Sequence, residues 1–251
     1  SALTTKVIEQ EKLRTDTEKE KMRANLLRAV SHDLRTPLTT IIGSTSAMIE
    51  NHDRLSRDTQ LQLLGGIRED AQWLMRMVEN LLSVTRIDGE GVRLIKTETV
   101  LEELIDTVLV KFRKNYPDEN VVVTIPDEFI SIPMDAVLIQ QVIVNLLENA
   151  VEHAQGRSRM ELEVRAVDKC AVFYVRDDGC GISRDRLENL FTGYLGQSDR
   201  QGDSYRRNMG IGLSVCASII KAHGGKISAR NLPQGGAEIC FELEMEENYG
   251  E

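Results

Sequence analysis

Seven positions constrain this chain more than any others. Ile67, Ala71, Leu74, Val78, Leu81, Thr85 and Asp88 alternate steps of four and three residues, the last two turning polar. Such steps draw a narrow apolar seam along a helix, the pattern of a coiled coil or four-helix bundle. Upstream, apolar residues recur at helical spacing from Met22, Leu26 and Val30 to Leu38, Ile41 and Ile42. That spacing predicts a first helix ending near Glu50. The polar stretch Asn51 to Thr59 reads as a connecting loop with an N-cap near its end, and His52 as a solvated side chain within it. Two helices cannot enclose a core on both sides, whereas two copies of a helical hairpin can. The segment therefore predicts a homodimeric four-helix bundle, with a hairpin packed on its own second domain as the alternative. Gly65-Gly66 inside the second helix costs about 1 kcal/mol per glycine relative to Ala and suggests a bend.

Asp88-Gly89-Glu90-Gly91 breaks the helical pattern and acts as a hinge, after which the periods change. Short strands are expected at Val92 to Ile95, Val121 to Ile125, Met160 to Ala166, Ala171 to Arg176, Lys226 to Asn231 and Ala237 to Glu244. Helices are expected at Val100 to Phe112, Asp135 to Ala154 and Ile211 to Ala222. Strands and helices mixed in this way make a two-layer α/β sandwich. The expected organisation is a lead-in helix or linker at 1–20, a helical domain at 21–88, a sandwich domain at 92–246 and a tail at 247–251.

A formal net charge of −9 argues against nucleic acid as the main ligand. No run approaches the roughly 18 apolar residues of a membrane helix, so membrane attachment is expected only through segments absent from this sequence. Cys170, Cys180, Cys216 and Cys240 show no CxxC pair and no histidine at metal spacing. They read as reduced thiols packed as small apolar residues in a cytosolic protein.

Four groups of residues carry candidate chemistry. His32 is followed at once by Asp33, which can hold one ring nitrogen protonated and leave the other as a nucleophile. Pro37 donates no N–H to the carbonyl of Asp33, so the helix bends just past the histidine. Asn145 and Asn149 lie four apart on one helix, their amides pointing the same way, with oxygens suited to Mg²⁺. Asp177-Asp178-Gly179-Cys180-Gly181 follows a strand directly; a carboxylate there can accept from an exocyclic amine while Gly179 and Gly181 let backbone approach a flat base. Gly210-Ile211-Gly212-Leu213 opens a helix whose N–H groups suit phosphate. Between the last two groups, Thr192 to Met209 reads as a lid, with Arg206 and Arg207 as phosphate partners or ordinary surface charge.

Taken in order, Ser31-His32-Asp33-Leu34-Arg35-Thr36-Pro37-Leu38, Asn145-x-x-x-Asn149, Asp177-x-Gly179-x-Gly181, Phe191-x-x-Tyr194 and Gly210-x-Gly212-Leu213 resemble the H, N, G1, F and G2 boxes of sensor histidine kinases. The resemblance covers about residues 20 to 246. It implies a dimerisation and histidine-phosphotransfer hairpin followed by a Bergerat-type ATP-binding sandwich. His32 would be the phospho-acceptor, Asp33 its base and orienter, and Thr36, on the same helical face, would position water for dephosphorylating the partner. Asn149 would hold Mg²⁺, Asn145 would line the phosphate site, and Asp177 would read the adenine amine. Gly179, Gly181, Gly210 and Gly212 would give the nucleotide room, beside Leu213. The Asp after the histidine, Asn-Leu-Leu-Glu-Asn-Ala-Val at 145 to 151 and His223-Gly224-Gly225 resemble the potassium-responsive Kdp-type branch. The chain departs from the family at Glu152-His153, where Lys-Tyr or Lys-Phe is common, and at Ser214, where a third glycine is common. The first change puts an acid where a cation usually stands near the phosphates and weakens the aromatic wall of the base pocket.

The expected activity is autophosphorylation of His32 from Mg²⁺-ATP, then transfer to an aspartate on a response-regulator receiver domain. The expected setting is the cytoplasmic portion of a bacterial membrane protein. A Bergerat ATPase of another class, which has no use for His32, and a nucleotide-free dimeric scaffold are the alternatives.

Overall fold

A computed structural model describes residues 34–51, 53–88, 94–191 and 209–245. The expectations for His32, Asp33, His52, Gly89, Gly91, Tyr194, Arg206, Arg207, the lid at 192–208, the lead-in helix and the tail lie outside the described residues. The chain divides into two compact units at Val78/Glu79.

The first unit is helical. Helix α1 is described over residues 34–50, and α2 runs Arg57–Asp88, its residues from Glu79 onward belonging to the second unit. The loop between them is shorter than the polar composition suggested, because Ser56 starts the second helix early. Its Oγ accepts from the backbone N–H of Thr59 at 3.2 Å, the N-cap arrangement. Gly65 and Gly66 sit within α2 facing open space, where a Cβ would meet nothing within 4 Å.

The second unit is an α/β sandwich. Its five-stranded sheet has the order β2-β4-β5-β7-β6, formed by β2 (Val121–Thr124), β4 (Met160–Val167), β5 (Cys170–Asp177), β7 (Ala237–Glu244) and β6 (Lys226–Asn231). Strand β2 pairs parallel with β4, and the other neighbours are antiparallel. A separate ribbon joins β1 (Thr97–Val100) to β3 (Ser131–Met134). Of the strand expected at Val92 to Ile95, the described Leu94 and Ile95 belong to no strand; the strand found is Thr97–Val100, and Ser131–Met134, expected only as the lead into a helix, is its partner. Two short strands that complete each other across a long connection show little periodicity of their own.

Helices α3 (Leu101–Asn115), α4 (Ala136–His153) and α6 (Met209–Ala222) supply the second layer, with the short α5 (Arg184–Leu187) beside it. One face of each central strand is apolar by alternation: Met160, Leu162 and Val164, then Phe173 and Val175, then Phe241 and Leu243, all buried. Phe173 and Phe241 stack across the β5–β7 pair with ring centroids 4.5 Å apart. Helix α4 lies deepest, with Ile139, Val142, Ile143 and Leu147 fully enclosed. Asp135 caps it, accepting from Leu138 N at 3.3 Å. The opposite sheet face carries ion pairs, among them Arg176 between Glu163 and Glu238 with its guanidinium over the Tyr174 ring. This sheet thus holds the end of β5 against the last turn of α4.

Candidate nucleotide site

Where β5 ends, the chain must turn while staying in contact with α4. Gly179 makes this feasible. A Cβ there would lie 2.7 Å from Ala154 Cβ and 2.9 Å from its Cα, closer than packed atoms come. The turn therefore lies flat on the end of α4 and brings Asp177 beside the Asn149–His153 face. Asp177 Oδ1 accepts from Gly179 N at 2.9 Å, and Ala237 N–H also bonds this carboxyl. Burial nevertheless pushes its pKa above the usual carboxylate value, against the pull of those N–H groups and of the Arg157 charge. A half-buried carboxylate held this way keeps acceptor capacity for a donor on a ligand.

The neighbouring Asp178 has a different task. It accepts from Ser158 N at 2.7 Å, Arg159 N at 2.8 Å and the Ser158 hydroxyl, which together lower its pKa to about 2. It pins the 158–159 loop to the turn and is structural. Two further residues shape the site and escaped the sequence reading. Asn231 accepts from Ile182 N and donates to Ile182 O, both at 2.7 Å, fastening the segment after Gly181 to the end of β6. Gly236 has φ +87°, and a Cβ there would lie 1.9 Å from the carbonyl oxygen of Asp177. The paired glycines at 235 and 236, sitting between two strands, were the available signal.

These elements enclose a cleft of about 460 Å³, solvent-open space included, lined by Leu146, Asn149, Ala150, His153, Asp177, Gly181, Ile182 and Leu213 among others. Ligand sites are commonly concave and apolar, with a few polar groups that fix orientation. Of the expected site residues, Asn149, Asp177, Gly181 and Leu213 line one cleft, and Gly179 builds its edge. Leu213 is also core, 1% exposed. Gly210 lies in the first turn of α6, and a Cβ on Gly212 would meet nothing within 4 Å, so backbone there is open to a ligand. Asn145 is set apart from the cleft wall. Its Nδ2 donates to Asn80 Oδ1 at 3.1 Å, and that same oxygen accepts from Gln141 at 2.8 Å. Thr36 is half-buried on α1, in the other unit.

The departures at 152 and 153 behave differently from each other. Glu152 accepts from the Tyr116 hydroxyl at 3.3 Å and is not among the residues lining the cleft. His153 does line the cleft, and its Nε2 is enclosed. The thiols also differ: Cys216 is buried with its pKa pushed up to about 12, whereas Cys180 is exposed and does not pack as an apolar residue. Among the described residues, no group of three or more His, Cys, Asp or Glu is placed to hold a metal. An amide such as Asn149, completed by oxygens of a bound phosphate, matches the chemistry of Mg²⁺, which keeps few protein ligands.

Two family descriptions match the sequence. Residues 22–90 match the His Kinase A (phospho-acceptor) domain, and residues 134–247 match the histidine kinase-, DNA gyrase B- and HSP90-like ATPase domain. The sensor protein KdpD of Clostridium acetobutylicum is 40% identical over 238 residues, covering 95% of this chain. That of Escherichia coli K12 is 31% identical over 237 residues, covering 94%. The chain spans 26% of the length of each. Among solved structures, histidine kinase ThkA in complex with response regulator protein TrrA superposes with a TM-score of 0.69 at 24% identity, over 95% of this chain and 66% of that one. Acinetobacter baumannii histidine kinase AdeS gives 0.62 at 21%, over 86% and 98%. At these identities the two structures speak for the fold.

Proposed function

Because this chain belongs to the sensor histidine kinase family, we infer that it transfers the γ-phosphoryl group of ATP to His32 and then to an aspartate of a response-regulator receiver domain. The observation that carries this reading is the convergence of Asn149, Asp177, Gly181 and Leu213 on one apolar-walled cleft. Those residues come from three separate stretches of the chain, the last turns of α4, the turn after β5 and the start of α6.

Asp177 accepts the exocyclic amine of adenine with the carboxylate capacity left after Gly179 and Ala237. The open backbone beside Gly212, at the N-terminal end of α6, receives the phosphates through helix-terminal N–H groups. Asn149 offers its amide oxygen to Mg²⁺, which supplies charge neutralisation on the phosphates when bound. A ring nitrogen of His32 attacks the γ-phosphorus, the bond to the bridging oxygen of ADP breaks, and Asp33 takes the displaced imidazole proton. Thr36 orients water for hydrolysis of the phosphorylated regulator, which releases inorganic phosphate. Support for a response-regulator partner comes from the ThkA neighbour, described in complex with one.

Apolar side chains of the helical unit stay exposed in the single chain, among them Leu38 47%, Ile42 63%, Leu64 49% and Val78 48%. They support homodimerisation through a four-helix bundle. No described helix is long and apolar enough to cross a membrane. The relatives named as sensor proteins, far longer than this chain, favour a cytoplasmic portion of a membrane-bound whole. The decisive experiment is incubation with [γ-³²P]ATP and Mg²⁺. The expected product is an acid-labile, base-stable label that vanishes in His32→Gln. Label surviving that substitution refutes His32 as acceptor, and ATP turnover without any label favours a Bergerat ATPase of another class.

A further inference from the structure

The last turn of α4 carries a side chain to which the proposed reaction gives no task. His153 lines the cleft together with Asn149, Asp177, Gly181 and Ile182. Its Nε2 is enclosed and has no hydrogen-bond partner among the described residues. Buried polar atoms are paired in the large majority of cases, and an unpaired one costs about 1–3 kcal/mol. An orphan on a partly exposed side chain that lines a cleft is therefore a candidate for a pairing that a ligand completes once the ring turns toward it.

The surroundings fix the form of the ring. Burial is the largest influence on His153 and lowers its pKa below 6.5; Glu152 raises it and Arg186 lowers it further. Asp177 shares the cleft, and the Cys180 thiol donates to the carbonyl oxygen of His153 at 3.7 Å. At neutral pH the ring is uncharged, so Nε2 is either a single donor or a single acceptor. The surrounding wall is apolar, from Leu146, Val175, Leu190 and Ile239, which suits a flat base rather than charged phosphates. In adenine the amine is the only exocyclic donor, and Asp177 is the acceptor for it. What remains on the base are the ring nitrogens N1, N3 and N7, all acceptors, since N9 carries the ribose.

We propose that His153 is a specificity-determining residue of this cleft, donating a hydrogen bond from Nε2–H to a ring nitrogen of the bound adenine. The proposal rests on the cleft being the nucleotide site and adds a contact to it. The position thus exchanges an aromatic wall for a polar one of similar size, and the base is read on two sides, by a carboxylate and by an imidazole.

The test is calorimetric titration of the whole chain and of His153→Phe with ATP and with 1-deaza-, 3-deaza- and 7-deaza-ATP. Phe keeps a flat ring and removes the donor. The wild type is expected to bind one of the three deaza analogues about tenfold more weakly than ATP, equivalent to about 1.4 kcal/mol. His153→Phe is expected to bind that analogue and ATP alike, whatever stacking does to its overall affinity. Identical discrimination in the two proteins for every analogue overturns the proposal. Absence of saturable ATP binding to the wild type overturns the nucleotide reading itself, a separate result. A matching loss against 2′-deoxy-ATP, with no deaza effect, would move the contact to the ribose and also overturn it.

Discussion

The imidazole of His223 bridges the end of α6 and the start of α4, accepting at Nε2 from the backbone N–H of Asp135 at 3.1 Å. Its Nδ1 lies 2.8 Å from the carbonyl oxygen of Ile219. Only one neutral tautomer satisfies both contacts, with Nδ1–H donating and Nε2 accepting. Protonation would set an N–H of the ring against the N–H of Asp135, at the capping residue of the helix that builds the cleft. Burial accordingly lowers the His223 pKa below 6.5, against the pull of the Ile219 carbonyl. The unfolded chain therefore binds this proton more readily than the folded one.

The stability attached to the neutral ring is complete above pH 6.5 and is lost as pH falls through the folded-state value. Thermal melts from about pH 8 to about pH 5 should show a falling midpoint on the acid side. His223→Gln should lower the midpoint at pH 8 and flatten the acid slope. His153 has the same sign, so some slope should survive in the single variant and diminish further once His153→Phe is added. An unchanged slope in the double variant would refute the assignment.

Asp177 serves several donors at once, and that fixes the outcome of removing one oxygen. The carboxylate takes Gly179 N–H and Ala237 N–H and still has acceptor capacity for adenine. Asp177→Asn has a single acceptor oxygen and must turn its amide N–H₂ toward either the backbone donors or the base. ATP affinity should fall roughly 10- to 100-fold, from about 1.5–3 kcal/mol for a hydrogen bond to a charged group. The folded protein should be little affected, because burial already disfavours the ionised carboxyl at this position. Titration calorimetry and a melt on the same sample would distinguish the two effects; a collapse of stability without nucleotide would contradict the role.

The two kinds of glycine in the motifs separate in the same way. At Gly179 an added Cβ runs into Ala154, backbone included, so Gly179→Ala should cost about 1–3 kcal/mol of stability by overpacking. At Gly212 the space is open and the residue is helical, so Gly212→Ala should stabilise the nucleotide-free protein by up to ~1 kcal/mol. It should weaken ATP binding all the same, since the methyl would project where the phosphates are expected. Equal destabilisation by both substitutions would show that Gly212 is kept for packing.

Much of this site was readable in the sequence because its members are local. Asn149 follows a helical period, Asp177 ends a strand of alternating burial, and Gly179 and Gly181 sit in the turn after it. The parts that were missed act across distance. Asn231 fastens Ile182 from another strand, and Gly236 is required by the Asp177 carbonyl, a contact that exists only once β5 and β7 are paired. The β1–β3 ribbon escaped for the same reason: Thr97 to Val100 shows no clean alternation, and it becomes a strand through its antiparallel partner. Glu152 accepts from the Tyr116 hydroxyl, 36 residues away, a pairing that its identity alone does not announce.

The seam on α2 gives the last prediction. Leu64 lies three residues before Ile67 and continues its four-and-three spacing, and both Leu64 and Val78 remain about half exposed in a single chain. Burying a leucine or valine side chain is worth about 1.5–3 kcal/mol, and a second copy of the hairpin offers the surface to do it. The full chain should therefore scatter light as a dimer. Leu64→Glu combined with Val78→Glu would place four carboxylates in the shared core, two from each copy, where unpaired charge is far costlier than at a surface. The doubly substituted chain should be monomeric yet still bind ATP in the second unit, whose cleft residues all lie after Glu79. A wild-type monomer, or a variant dimer as tight as the wild type, would mean that the exposed seam has another use.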